Sequence, residues 1–227
     1  MLVVLYWCQP NLEVQVLKIV LCFILAYLIG SFPSGYLIGE IFFQQDIRHL
    51  GSGNVGTTNT FRAFGILPGI VVLGLDIFKG TLGASLPVFF HVPGKQWMIL
   101  VGLAAVLGHC FSIFLHFKGG KAVATASGIL LAYNPPLFVF AFSMFILIIL
   151  LTSTVSLASL ISLPVLTLAV IPTHDPYFLF AAILVTIVVY VRHLPNIRRL
   201  CHHQENIVHF GLVYYLRKKK APHIYKH

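Results

Sequence analysis

Residues 49–62 read HLGSGNVGTTNTFR, a small, polar, glycine-rich run that ends in arginine. On either side stand YLIGEIFF and ILPGIVVLGL, both strongly apolar. The contrast makes sense only once the solvent of the chain is known. Of the 227 residues 58% are hydrophobic and 9% are charged, against about 25% charged in ordinary soluble domains. Mean hydropathy is +0.92. So few charges cannot cover the surface of a soluble fold of this length. The chain therefore reads as an all-α, polytopic integral membrane protein, a single membrane-embedded domain over 1–227 with a basic tail from about residue 193.

A helix needs about 20 apolar residues to cross the hydrocarbon. Candidates run over roughly 17–43, 66–90, 97–117, 121–133, 137–152, 155–172 and 177–192, which makes about seven spans. The fourth, AVATASGILLAY, is short and rich in small residues, and is expected to pack inside the bundle or to span only in part. The N-terminal MLVVLYWCQP lacks the basic start and cleavage site of a signal peptide and reads as an interfacial stub.

The formal net charge of +9 invites a nucleic-acid reading, but its placement argues against one. Arg192, Arg198, Arg199, Arg217, Lys218, Lys219, Lys220 and Lys226 gather at the C-terminal end. A basic stretch beside a span is a cytoplasmic signature, held by anionic lipid and topology. With seven spans and an outside N-terminus, twelve of the fifteen Lys and Arg residues fall on the inside. Cys8, Cys22, Cys110 and Cys201 are scattered without CxxC spacing, so free thiols and no structural metal are expected.

The same topology puts GSGNVGTTNTFR, FKGGKAVAT and RHLPNIRRL on the inside face, where they can meet. In the first, Gly51, Gly53 and Gly56 let the backbone bend and approach a ligand closely. Ser52, Asn54, Thr57, Thr58 and Asn59 offer neutral polar groups, and Arg62 a planar cation suited to phosphate. The run resembles an anion cradle, with a capped tight connection as the bland alternative. No Walker A pattern occurs. In the second, Gly119, Gly120 and Lys121 precede a small-residue helix, and free amides with a lysine would bind phosphate. In the third, Arg192 and His193 end a span; His193 and Asn196 share a face if a helical turn persists through Pro195. Histidine is a base or donor near neutral pH, and asparagine orients a hydroxyl or carbonyl. Asp76 and Lys79 lie inside a span at i, i+3, so they are either a self-neutralising pair or functional, with Lys79 reaching the site. His109 is a satisfied interior histidine or a further member of the site, and Glu205 an arginine partner or a tail charge.

GSFPSGYLIG, DIRHLGSGNVGTTNTFRAFG, LDIFKG, GHCFSIFLHFKGGKAVAT, TVSLASL and RHLPNIRRL with a later EN occur in one order over roughly residues 30–206. Together they resemble the bacterial acyl-phosphate:glycerol-3-phosphate acyltransferases, the PlsY family. The resemblance implies seven transmembrane helices in the bacterial inner membrane and a site facing the cytoplasm. It implies acyl transfer from acyl phosphate to the sn-1 hydroxyl of glycerol 3-phosphate, giving lysophosphatidic acid and phosphate. No metal or other cofactor is implied; a functional link to an enzyme that makes acyl phosphate is. Ser52, Arg62, His193 and Asn196 would be catalytic. Gly51, Gly53, Asn54, Asn59, Lys79, Gly119, Gly120, Lys121 and Arg192 would bind substrate, with Asp76 and Glu205 structural.

Two positions depart from the family pattern. Ala122 stands where a glycine is usual, which is tolerable in helical backbone and harmful at positive φ. Ser153 stands where an arginine is common. The rival reading is a transporter of small phosphate-bearing solutes, since helix-breaking glycines and intramembrane charge suit that class too. Against it, the chain has no internal repeat and its polar motifs collect on one face.

Overall fold

The computed structural model describes residues 12–220, so the N-terminal stub and Lys226 lie outside the described residues. The chain divides between Tyr133 and Asn134 into two compact units. In the first, α1 (Leu12–Ser31) runs into a break at Phe32–Pro33, then the short α2 (Ser34–Ile38) and a π-helical turn, Gly39–Phe43. After the glycine-rich loop come α3 (Thr57–Phe64), α4 (Ile66–Phe89), α5 (Gln96–Cys110) and α6 (Val123–Tyr133). The second unit holds α7 (Pro135–Thr152), α8 (Val155–Val170), α9 (Pro176–Arg192), α10 (Leu194–Cys201) and α11 (Leu212–Lys220).

Among the described residues, five apolar stretches are long enough to cross a bilayer: Leu12–Phe43, Ile66–Phe89, Gln96–Leu115, Pro135–Thr152 and Val155–Thr173. A sixth is the pair α9 and α10, bent by 61°. The bend falls where Pro195, which lacks an N–H, opens α10. The remaining segment, α6, has 11 residues and so rises only about 16 Å, half the hydrocarbon thickness. It packs instead on α4 and α5, as its small residues suggest.

Close helix approach explains the glycines inside the first unit. A Cβ on Gly80 would meet Thr125 O at 2.0 Å, and one on Gly128 would meet Ile77 O at 1.9 Å. Helices in lipid gain no hydrophobic drive toward each other, so small residues that admit backbone-to-backbone packing hold α4 to α6. In the second unit the helix starts are sequence-encoded. Asn134 accepts from Leu137 N at 3.1 Å and Asp175 from Phe178 N at 3.0 Å, each just ahead of a proline. Cys22, Cys110 and Cys201 are free thiols.

Candidate active site

The glycine-rich loop is built around Asn59. Its Oδ1 accepts from Ser52 N at 2.8 Å, and its Nδ2 donates to Leu50 O at 2.9 Å and to Ile47 O at 3.3 Å. Asn59 is buried, and both ends of its amide serve the loop backbone. These bonds hold the loop in shape. Gly51 and Gly53 have φ of +56° and +71°, which non-glycine residues adopt only at a cost. Ser52 and Arg62 are exposed, and Asn54 is half-buried. At the loop's entry Asp46 caps a 3₁₀ turn by accepting from Arg48 N at 2.9 Å. The Arg48 side chain, hydrogen-bonded to Asp46, holds that carboxyl below its ordinary value.

Beneath the loop lies a buried charged cluster centred on Asp76. Lys79 Nζ is 2.8 Å from Asp76 Oδ1. Ser34 Oγ donates to the same oxygen at 2.6 Å, and Thr57 Oγ1 to Oδ2 at 3.3 Å. Lys79 Nζ also donates to Phe32 O at 3.0 Å, in the break after α1. The carboxylate thus ties three pieces together: the FPSG break, the first residue of α3 and the lysine one turn along α4. Lys79, His109 and Ser34 line a small cleft together with Gly30, Ser31 and Ser112. Ser31 Oγ is buried there without a hydrogen bond.

His109 connects this cluster to the glycine pair. Its Nδ1 is 3.1 Å from Thr125 Oγ1 and 3.8 Å from Asp76 Oδ1. The turn that follows folds back on the end of α5: Gly119 N donates to Cys110 O at 3.1 Å, and Gly120 N to His109 O at 3.0 Å. A Cβ on Gly119 would meet His109 O at 2.0 Å, and one on Gly120 would meet His109 Nε2 at 2.3 Å. The sequence predicts free amides at these two glycines; they are engaged with α5 instead. What this corner can offer an anion is the half-buried Lys121 and the first-turn amides of α6. Ala122 is buried with φ of +58°. The family pattern's glycine would sit there without strain, and the helical backbone that would make alanine harmless is absent.

The second unit carries its own polar cluster at the α9–α10 bend. His193 is buried, and its Nδ1 lies 2.8 Å from Val189 O. A carbonyl can only accept, so Nδ1 holds a proton and donates it to Val189 O. Glu205 Oε1 accepts from Asn196 Nδ2 at 2.7 Å and from Ser156 Oγ at 2.9 Å, while Oε2 accepts from Arg199 Nε at 2.8 Å. Burial alone would push the Glu205 carboxyl up; the hydrogen bonds from Arg199, Asn196 and Ser156 outweigh it and hold it below the ordinary range. Glu205 is therefore an arginine partner and a clamp, and it ties residues 196–205 to α8. Arg192 is half-buried in the last turn of α9.

Three contributors escaped the sequence reading. Ser34 had a signal, a Ser-Gly beside proline in an otherwise apolar segment. Thr125 and Ser156 had none, because small hydroxyl residues in membrane helices commonly bond their own backbone.

Helices long and apolar enough to cross a bilayer, with buried charged and hydroxyl side chains collected at their breaks, define a polytopic membrane protein. The sequence profile described as Glycerol-3-phosphate acyltransferase matches residues 20–203. A protein of Latilactobacillus sakei named glycerol-3-phosphate acyltransferase is 53% identical over 204 residues, 90% of this chain and 99% of its own length. Glycerol-3-phosphate acyltransferase 2 of Lactobacillus johnsonii is 49% identical over 203 residues, 89% of this chain and 93% of its own. The crystal structure of PlsY (YgiH), an integral membrane glycerol 3-phosphate acyltransferase in its glycerol 3-phosphate form, superposes with a TM-score of 0.80 at 37% identity, covering 87% of this chain and 98% of that one. Its lysophosphatidic acid form gives 0.77 at 36% identity. The chain belongs to the glycerol-3-phosphate acyltransferase family.

Proposed function

We propose that this chain transfers an acyl group from acyl phosphate to the sn-1 hydroxyl of glycerol 3-phosphate, releasing lysophosphatidic acid and inorganic phosphate. The observation that carries the reading is the hydroxyl-positioning pair. His193 has its Nδ1 proton committed to Val189 O, and Asn196 has its amide turned by Glu205. Both side chains are thereby held in fixed orientation at the α9–α10 bend, where they can position an alcohol.

In this mechanism acyl phosphate arrives activated, with phosphate as its leaving group. Ser52, Arg62 and Lys121 hold the phosphate groups, the Gly51–Gly53 backbone and Asn54 close around them, and Lys79 and Arg192 add positive charge. The hydroxyl oxygen attacks the acyl carbon, the bond from that carbon to the phosphate oxygen breaks, and the hydroxyl proton ends on the released phosphate. Charge neutralisation and alignment supply most of the rate. Direct transfer is favoured over an acyl-serine, because no hydrogen bond joins Ser52 Oγ to a base among the described residues. The relatives support a membrane location, and the gathering of basic residues supports a site facing the cytoplasm. An acyl-phosphate-producing enzyme would supply the donor.

The test is purified protein in detergent with acyl phosphate and glycerol 3-phosphate. The enzyme releases phosphate and lysophosphatidate in equal amounts. A transporter of phosphate-bearing solutes would make neither.

A further inference from the structure

The matched family profile ends at residue 203, and the chain goes on to build one more helix, α11 (LVYYLRKKK). That helix is moored to the end of a membrane span. Ser153, which takes φ of +56° where it closes α7, accepts from Tyr214 N through its Oγ at 3.0 Å and from Val208 N through its carbonyl at 2.8 Å. Gly211, with φ of +93°, lies so close that a Cβ would meet Leu150 O at 2.8 Å and Ser153 Oγ at 2.7 Å. Because α7 is long and apolar enough to span a bilayer, its end lies at the membrane surface, and α11 starts there.

α11 is divided along its length, apolar where it starts and basic where it ends. Leu212, Tyr215 and Leu216 recur at i, i+3 and i+4, and are 52%, 60% and 50% exposed. Arg217, Lys218, Lys219 and Lys220 follow in an unbroken run, and no acidic residue occurs in the helix. Exposed leucines and a tyrosine at helical spacing, closed by four cations, suit the boundary between acyl chains and headgroups. We infer that α11 is an interfacial helix that docks on anionic phospholipid, with its apolar stripe in the acyl boundary and its basic run on headgroup phosphates. Ser153, in place of an arginine, is the hydroxyl that fixes its start.

The inference is independent of the reaction and is tested without it. The full chain is placed in nanodiscs of phosphatidylcholine alone, or of phosphatidylcholine mixed with phosphatidylglycerol, and amide hydrogen exchange is followed over residues 212–220. Each basic residue near an anionic surface contributes to binding, so four of them should slow exchange by roughly tenfold or more in the mixed discs. High salt should remove the slowing. The R217Q/K218Q/K219Q/K220Q variant should lose it, with exchange in α7 and α8 unchanged to show that the fold survives. Equal exchange in both lipids would overturn the inference, as would slowing that persists in the quadruple variant; an acidic protein partner in place of lipid predicts the first of these.

Discussion

Asn196 Nδ2 donates to Glu205 Oε1 across 2.7 Å, so a residue nine positions downstream decides which way the asparagine amide faces. Glu205→Ala leaves Asn196 without that partner and Arg199 without its carboxylate. If Asn196 aligns the attacking hydroxyl, kcat should fall on the order of 100-fold, with KM for acyl phosphate little changed. Glu205→Gln keeps one acceptor oxygen and should retain more of the rate. Turnover measured well below the unfolding temperature separates this from a stability effect. Equal kcat in all three proteins would remove Asn196 from the alignment role.

The same carboxylate makes an acid-sensitive contribution to stability. Its folded value is depressed below the ordinary 4.5. A depressed acid stabilises the fold fully above its unfolded value and loses that contribution as pH falls through the folded value. The unfolding midpoint in detergent should therefore drop as pH is taken downward from about 4.5, and Glu205→Gln should flatten part of that slope. Asp46, held down by Arg48, supplies a second acid slope that the variant keeps. An unflattened slope in the variant would show that the clamp contributes nothing to acid stability.

Ala122 should be improvable. Left-handed backbone costs a non-glycine residue about 1–2 kcal/mol, partly offset by the greater chain entropy of unfolded glycine. Ala122→Gly should gain about 0.5–1 kcal/mol and raise the unfolding midpoint by a few degrees. Ala122→Val, β-branched at the same φ of +58°, should lower it. A midpoint lowered by glycine would mean that the left-handed conformation is not what limits this turn.

How much of this was readable from residues alone depends on whether a pattern has one physical meaning or two. The spans were legible because stretches of 18–24 residues that are apolar but for a few positions have no other use in a chain this poor in charge. Gly119-Gly120 was ambiguous: a phosphate cradle and a turn pressed against a neighbouring helix both demand two glycines, and only the distances to His109 and Cys110 distinguish them. Asn59 was ambiguous likewise, since a loop-holding amide and a ligand amide read the same. Ser153 was legible only as a lost charge, because its bond to Tyr214 spans 61 positions.

Asp76 and Lys79 should behave as a unit. Both are buried, with 2.8 Å between their charged atoms. Removing one partner leaves an uncompensated buried charge, which costs about 3–5 kcal/mol. Lys79→Met and Asp76→Asn should each lower the folded yield sharply. The double variant should recover part of that loss, with a coupling of at least about 1 kcal/mol. Full yield in the double variant without activity would give Lys79 a part in substrate binding beyond neutralising Asp76. Simple additivity of the two losses would dissolve the pair.

Lys121 separates binding from chemistry. It stands half-buried at the entry to α6, beside a turn whose glycine amides are already engaged with α5. The cation and the first-turn amides of α6 are then what this corner can offer phosphate. An interaction made equally in the ground and transition states changes KM and leaves kcat. Lys121→Ala should raise KM for glycerol 3-phosphate by about tenfold or more, the loss of one charge-assisted hydrogen bond of about 1.5–3 kcal/mol, and lower kcat by less. Lys121→Arg should keep the charge but recover KM only in part, because a planar fork does not replace a compact ammonium. An unchanged KM in Lys121→Ala would take the residue out of the phosphate site.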